Sequence, residues 1–397
     1  MSVVVLRYGA YPLVIGAMAV LAIQVLAGVL PVWPTLLMAA AVGIGAVALL
    51  ERLQPFEPAW QHDYGDTRAD QLHGLVNFGL LAGAAYGLHA LRVVMPAGVL
   101  WPTAWPAWIQ CLLAGTILDL GLYAMHRVSH RFAWAWRLHA IHHSAERLYW
   151  LNGERRHPLS ALLMAGPGLI AVIALGAPAV VVSVWLALLS VHLAFQHANL
   201  DYSVGPLRRW IATAELHRWH HKREYEDAQV NFGEFWMVWD RAFGTFLDRP
   251  GHVGAGDVGL REAAVPATYG AQLRWPFRTV ARTDSPRGIA FETALAQGYS
   301  ALEAGDATAA YAAFERAHVL GQPHTRTHVR SHVAFLRWAL RQRDGREILG
   351  QVARIVAATL FTRLWMPRGN TGGARVSAFA RMAIPEELAT LTRETPR

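Results

Sequence analysis

Six stretches of this chain are apolar for long enough to suggest membrane spans, and polar or proline-containing segments separate them. They run from Tyr11 to about Val32, about Thr35 to Leu50, about Leu72 to Val94, about Trp108 to Met125, about Leu159 to Ala177 and Val180 to Phe195. A helix crossing a bilayer needs about 20 predominantly apolar residues. The first two runs, divided by Pro31 and Pro34, predict a helical hairpin and not a signal peptide, because apolar sequence resumes at once with no cleavage site between them. Gly176-Ala177-Pro178 divides the last two runs into a second hairpin. The acidic, proline-containing stretch from Gln54 to Asp70 reads as a loop at one membrane face, and the uncharged, proline-rich stretch from Met95 to Trp105 as a loop at the other.

Polar residues inside the runs are costly in lipid and are expected to face protein. They are His73, Asn77 and His89 in the third run and Asp119 in the fourth. With 54% hydrophobic and 16% charged residues, the chain is too apolar for an ordinary soluble protein. The formal charge of +8 is almost all arginine, with no block of like charges interleaved with aromatics, so nucleic acid is not an expected partner. Six arginines lie between Arg127 and Arg156, and Arg208, Arg209, Arg218, Lys222 and Arg223 follow the sixth run. Basic loops stay in the cytoplasm, and six spans with both ends inside satisfy every loop. A bacterial inner membrane is the expected location. The single cysteine, Cys111, rules out an intrachain disulfide and a Cys-ligated iron–sulfur cluster.

The predicted cytoplasmic segments carry the candidate chemistry. His126-x3-His130 and His139-x2-His142-His143 fall within 18 residues, and His217-x2-His220-His221 repeats the second pattern about 75 residues later. Positions i, i+3 and i+4 share a helix face, so each cluster can aim its rings at one point. Eight neutral imidazoles exceed the needs of one ion and suit two adjacent ones. His157, in Arg155-Arg156-His157-Pro158, stands at the foot of the fifth run, and His192 and His197 close the sixth. The last two splay by about 140° on a straight helix, so they do not share a face unless the helix ends between them. Asp119, Glu154, Glu215 and Asp240 are candidate partners for ring N–H groups. A non-redox transporter or sensor is the alternative reading. It would place polar groups across the bilayer midplane, whereas these histidines gather at one face. A di-zinc hydrolase would need a nucleophile or base motif that does not accompany the boxes.

The array HRVSH, HAIHH and HRWHH resembles that of the fatty acid hydroxylase superfamily, which includes sterol desaturases, C4-methyl sterol oxidases and alkylglycerol monooxygenase-like proteins. Further matches are Asp119 seven residues before the first box, ERRHP (Glu154 to Pro158), His197-Ala198-Asn199, Asn231-Phe232-Gly233, and Trp239 to Thr245 (WDRAFGT). The resemblance covers about Asp70 to Leu247. It implies an all-α membrane bundle whose cytoplasmic di-iron site activates O2 to hydroxylate or desaturate a lipid: a fatty acyl chain, a sterol or hopanoid, a carotenoid or an ether lipid. The implied metal ligands are His126, His130, His139, His142, His143, His157, His192, His197, His217, His220 and His221, with catalytic roles for Asp119, Asn231 and Asp240. Gly254-x-Gly256-x-x-Gly259 matches the dinucleotide pattern by letters, but it follows no clear strand and leads into no obvious helix. Electrons are therefore expected from a separate ferredoxin- or cytochrome-type donor.

The expected organisation is an N-terminal hairpin and loop (1–70), a catalytic domain (71–249), a Gly-, Pro- and Arg-rich linker (250–288) and a small soluble helical domain (289–397). In the last, Phe291 to Ala304 and Ala307 to Leu320 flank a Gly305-Asp306 turn. Two further helices, about Thr327 to Arg343 and Glu347 to Trp365, precede a glycine-rich loop from Pro367 to Gly373. AHVLGQ (Ala317 to Gln322), LGQVARI (Leu349 to Ile355) and GNTGG resemble a small uncharacterised bacterial domain family, from which no activity follows. His324, His328 and His332 form a stripe on one helix face with His318 nearby, expected to be solvated or at an interface. The alternative is a second metal site, or a lid on the first.

Overall fold

The apolar runs become helices whose ends differ from the runs: the first spans Val3–Leu26, six residues short of the expected Val32, and the fifth ends at Leu175, whereas the fourth continues through its polar flank to Arg131. The computed structural model describes residues 3–94, 100–261, 264–277, 286–362 and 366–392. In chain order they form α1 (Val3–Leu26), α2 (Val32–Leu53), α3 (Thr67–Val94), α4 (Ala107–Arg131), α5 (Ala133–His143), α6 (Pro158–Leu175) and α7 (Ala179–His197). All but α5 are long and apolar enough to cross a membrane. The fourth run and the box from His126 to His130 share α4, which ends at Phe132, an extended residue. Residues 95–99 of the proline-rich loop, 278–285 of the expected linker and 363–365 at the end of the last predicted helix lie outside the described residues.

Lipid tails are as apolar as leucine, so helices in a membrane associate through close packing and not through removal of apolar surface from water. Small residues provide that closeness here. A Cβ on Gly121 of α4 would lie 2.6 Å from the backbone nitrogen of Gly168 in α6, and one on Gly168 would lie 2.8 Å from the Leu118 carbonyl oxygen. Around this crossing Leu118, Leu122, Met164, Leu169, Val172, Trp185 and Leu189 form one buried core. A second core joins α1, α2 and α7 through Tyr11, Met18, Val47, Val191 and Phe195.

The shorter helices α8 (Ala214–His220), α9 (Val238–Phe243) and α10 (Tyr269–Arg274) follow α7. Buried ion pairs fasten the segment between α5 and α6 to the start of α3. Arg147 donates to Asp66 from Nε at 3.0 Å and from a terminal nitrogen at 2.7 Å, and Arg155 donates to Asp70 at 2.8 Å. Tyr149 also donates to Asp70. Buried charges are tolerated when paired and hydrogen-bonded in this way. The ends of α4 and α7 come together with α5 and α8 at one face of the bundle.

A second compact unit begins beyond Phe277. It contains α11 (Pro286–Glu303), α12 (Ala307–Gly321), α13 (Thr325–Gln342), α14 (Gly345–Phe361) and α15 (Glu386–Thr392) around Phe291, Leu295, Phe314 and Phe335. Asp306 and Asp344 cap α12 and α14, each accepting from a backbone N–H three residues on. No strand occurs among the described residues of either unit.

The Gly121–Gly168 contact is backbone against backbone, so a larger residue cannot be absorbed by a rotamer change. Gly121→Val should destabilise the bundle by at least the ~1–3 kcal/mol typical of overpacking and lower the metal content of the purified protein, because α4 carries His126 and His130. Unchanged thermal stability and metal content would show that the crossing tolerates separation.

Candidate metal centre

Nine buried histidines converge at this face in two groups. One comprises His126, His130, His139, His143 and His220; the other comprises His142, His197, His217 and His221. Each ring offers one nitrogen, and within each group these nitrogens lie within 4.8 Å of one another. The division cuts across the sequence clusters. Helix positions four apart differ by about 40° and adjacent ones by about 100°. His126 and His130, His139 and His143, and His217 and His221 therefore serve one group per pair. His142 and His220 turn to the other group. Each triple box thus contributes to both centres, which corrects the expectation that one cluster aims at one point. The centres adjoin, with the rings of His143 and His221 stacked at 4.6 Å.

The nitrogen spacing tests whether a metal fits. His143 Nε2 lies 3.1 Å from His130 Nε2 and 3.2 Å from His139 Nε2. In the second group His217 Nε2 lies 3.1 Å from both His197 Nε2 and His221 Nε2, and His142 Nε2 lies 3.4 Å from His197 Nε2. Imidazole nitrogens about 2.1 Å from one ion at octahedral or tetrahedral angles stand about 3.0–3.4 Å apart. Burial first, and then crowding by neighbouring imidazoles, holds His139, His142, His143, His217, His220 and His221 well below the ordinary imidazole range. These rings are neutral, the form that binds a cation.

Hydrogen bonds on the far side of the rings select the tautomer. His126 Nδ1 donates to the Phe232 carbonyl at 2.9 Å, His220 Nδ1 to Val230 at 2.9 Å and His197 Nδ1 to Leu193 at 3.0 Å. Each donation leaves Nε2 as a lone pair aimed inward. Gly153 permits the turn before α6 to lie against His197, since a Cβ there would stand 3.0 Å from Nδ1.

Two of these carbonyls belong to the segment Val230–Trp236, and the three residues expected to be catalytic hold that segment in place. Asp240 accepts from the backbone amides of Phe232 at 2.8 Å and Gly233 at 2.7 Å, and from the Thr245 hydroxyl at 2.6 Å. Asp119 accepts from the amides of Phe235 and Trp236 and from the Trp239 indole. Asn231, in a left-handed conformation with φ of 53°, donates to the carbonyls of Leu216 and Leu247 and accepts from the Leu247 amide. None of the three has an imidazole as its hydrogen-bond partner among these contacts. Their contacts are with backbone, Thr245 and Trp239, and they fix the segment whose Val230 and Phe232 carbonyls meet the rings.

The acid that does approach a ring was missed in the sequence. Glu234, fully buried, places Oε1 3.3 Å from His126 Nδ1 and accepts from Arg156 at 3.3 Å. Its signal was an acidic residue within an aromatic run, Asn231 to Trp236, directly after the matched Asn231-Phe232-Gly233. Of the other acids expected beside rings, Glu215 accepts from Ser203 and faces Arg208.

Two expected ligands stand elsewhere. His157 caps α6, its Nδ1 accepting from the Leu159 amide at 3.1 Å while Nε2 donates to the Leu273 carbonyl at 3.1 Å, so both nitrogens are used. His192 bonds the Tyr11 hydroxyl at 2.8 Å and lies against Phe235, because five residues along an intact helix turn it away from His197. His197 joins the second group from the last turn of α7. His73 bonds Gln272 at 2.7 Å.

Comparison with known proteins finds relatives among lipid-oxidising enzymes. A family model described as fatty acid hydroxylase matches residues 111–245, and one described as a protein of unknown function (DUF3703) matches residues 287–392. An ornithine lipid hydroxylase of Rhizobium tropici is 34% identical over 251 residues, covering 61% of this chain and 75% of that protein. Alkylglycerol monooxygenase of Danio rerio is 31% identical over 150 residues, 37% of this chain and 31% of its own length. Methylsterol monooxygenase 1 of Rattus norvegicus is 25% identical over 146 residues, 35% of this chain and 48% of its own length. No solved structure matches.

Asp240→Ala removes the acceptor that holds two backbone amides and so releases the carbonyls behind His126 and His220. Metal affinity should fall by the about 10–100-fold typical of lost outer partners, with helix content by circular dichroism unchanged. Retention of full metal affinity would show that the segment does not orient the rings.

Proposed function

This chain belongs to the fatty acid hydroxylase family of lipid-oxidising oxidoreductases, and we propose that it is a membrane-bound di-iron, O2-dependent hydroxylase of an acylated polar lipid of the ornithine-lipid type. The observation that carries the reading is the convergence of nine buried imidazoles into two adjoining groups at one face of six membrane-capable helices. The lipid class rests on the match that spans three quarters of a lipid hydroxylase, against a third to a half of the monooxygenases acting on ether lipids and sterols.

Two irons held by His126, His130, His139, His143 and His220 and by His142, His197, His217 and His221 would supply the redox capacity to reduce O2 and place one of its oxygen atoms in a C–H bond. The chain's own residues prepare that chemistry. His126, His197 and His220 keep their Nδ1 protons on backbone carbonyls, so that Nε2 stays a ligand atom. Glu234, bridging His126 and Arg156, offsets positive charge at a site whose histidine ligands are neutral. Burial of every ring excludes water, and the surrounding apolar helices suit an acyl chain arriving from the bilayer. The balance is one C–H bond and O2, with two electrons and two protons, giving an alcohol and water. In this reading the electrons come from a separate ferredoxin- or cytochrome-type donor, and the basic loops favour a cytoplasmic side of a bacterial inner membrane for the centre.

Expression in a bacterium that makes ornithine lipids should yield lipids heavier by one oxygen atom in mass spectrometry. His142→Ala and His143→Ala, each removing one ring from one group, should lower that product by more than the about 10–100-fold expected from losing an outer partner alone. Unaltered lipids on expression, or products lighter by two hydrogens instead, would overturn the hydroxylase reading.

A further inference from the structure

The second unit contains a third convergence of histidines, separate from the nine. His318 of α12 and His328 and His332 of α13 are buried, with 1%, 6% and 3% of their surface exposed. Their ring centroids form a nearly equilateral triangle of 4.6, 4.9 and 4.9 Å. His318 Nε2 lies 3.1 Å from His328 Nε2 and 3.2 Å from His332 Nε2. The expected stripe of His324, His328 and His332 is thus corrected in two ways: it is not solvated, and His318 from the preceding helix takes the third place. His324 stands at the N-cap of α13.

The opposite edges of the rings settle where the protons are. His318 Nδ1 meets the Asn370 carbonyl at 2.8 Å, which can only accept. His332 Nδ1 meets Gln351 Oε1 at 2.7 Å, and that amide is oriented by its own Nε2, which donates to Glu347 at 2.7 Å and to the Gly372 carbonyl at 2.9 Å. His328 Nδ1 meets the Thr362 hydroxyl at 2.8 Å, whose proton goes to the Ala358 carbonyl. All three Nδ1 atoms therefore donate. All three Nε2 atoms are lone pairs facing one another with no proton between them, an arrangement that is repulsive without a cation.

We propose that His318, His328 and His332 form a second metal site, for a single zinc(II)-type divalent ion held by three neutral imidazoles. The spacing of 3.1–3.2 Å suits nitrogens about 2.1 Å from one ion. No fourth protein side chain joins the three among the described residues, so an exogenous ligand such as water completes the shell. The surrounding sequence is organised for this site. AHVLGQ supplies His318 and Gln322, LGQVARI supplies Gln351, and GNTGG supplies Asn370 and Gly372. Gln322 secures the glycine-rich loop by donating to Asn370 and Pro367 and accepting from the Gly369 amide. Gly372 stands where a Cβ would lie 2.5 Å from the His318 ring, so the loop can close over that ring only with glycine there.

The test uses the full-length protein, stripped with chelator in detergent and reloaded with cobalt(II). His328→Ala should bind one cobalt equivalent per chain fewer than the wild type, whatever number the nine other histidines hold. Gln351→Leu should weaken that same equivalent by about 10–100-fold. His328→Cys should restore it and add a thiolate-to-cobalt charge-transfer band that the wild type lacks. That band supports the site even if His328→Ala does not fold. Equal cobalt counts in wild type and His328→Ala, or a folded His328→Cys protein without the band, would overturn the proposal.

Discussion

Mutual repulsion of inward-facing nitrogen lone pairs is the constraint that the rest of this structure serves. Nine imidazoles are crowded until their Nε2 atoms stand as close as 3.1 Å, a spacing that neutral rings adopt around a cation. Holding nine rings at that spacing requires a rigid surround. The structure supplies it from below through the Gly121–Gly168 crossing, and from the side through Arg147–Asp66 and Arg155–Asp70. From above, Val230–Trp236 is clamped by Asp119, Asn231 and Asp240.

This arrangement gives the acidic residues an indirect role. Carboxylates that spend their oxygens on backbone amides fix a loop, and the carbonyls of that loop in turn fix the rings. The result is two groups of histidine rings with Glu234, among the described residues, as the one carboxylate at ion-pair distance from them and Arg156 as its counter-charge. The same logic recurs at smaller scale in the second unit, where a carbonyl, an amide and a hydroxyl choose the tautomers of three histidines.

By itself the sequence determined the six membrane-capable helices, the gathering of histidine boxes after the fourth and sixth of them, and the presence of a helical C-terminal unit. These follow from local quantities, namely run length, helical spacing and composition, which need no knowledge of neighbours. The family resemblance was likewise legible, because the boxes and WDRAFGT are contiguous.

Only the tertiary structure decided which ring belongs to which centre. His142 and His143 are neighbours in the chain and part company because 100° of helix rotation separates them, while His142 joins His217 and His221 from a helix more than 70 residues away. It also placed outside both groups His157, whose nitrogens are both engaged at the foot of α6, and His192, which a continuous α7 turns toward Tyr11. His318 replaced His324 for the same reason: the partner across an antiparallel helix pair is set by packing, and no spacing along one helix can reveal it. Ligand type is written in residue identity and periodicity, but ligand grouping depends on how helices far apart in sequence face one another.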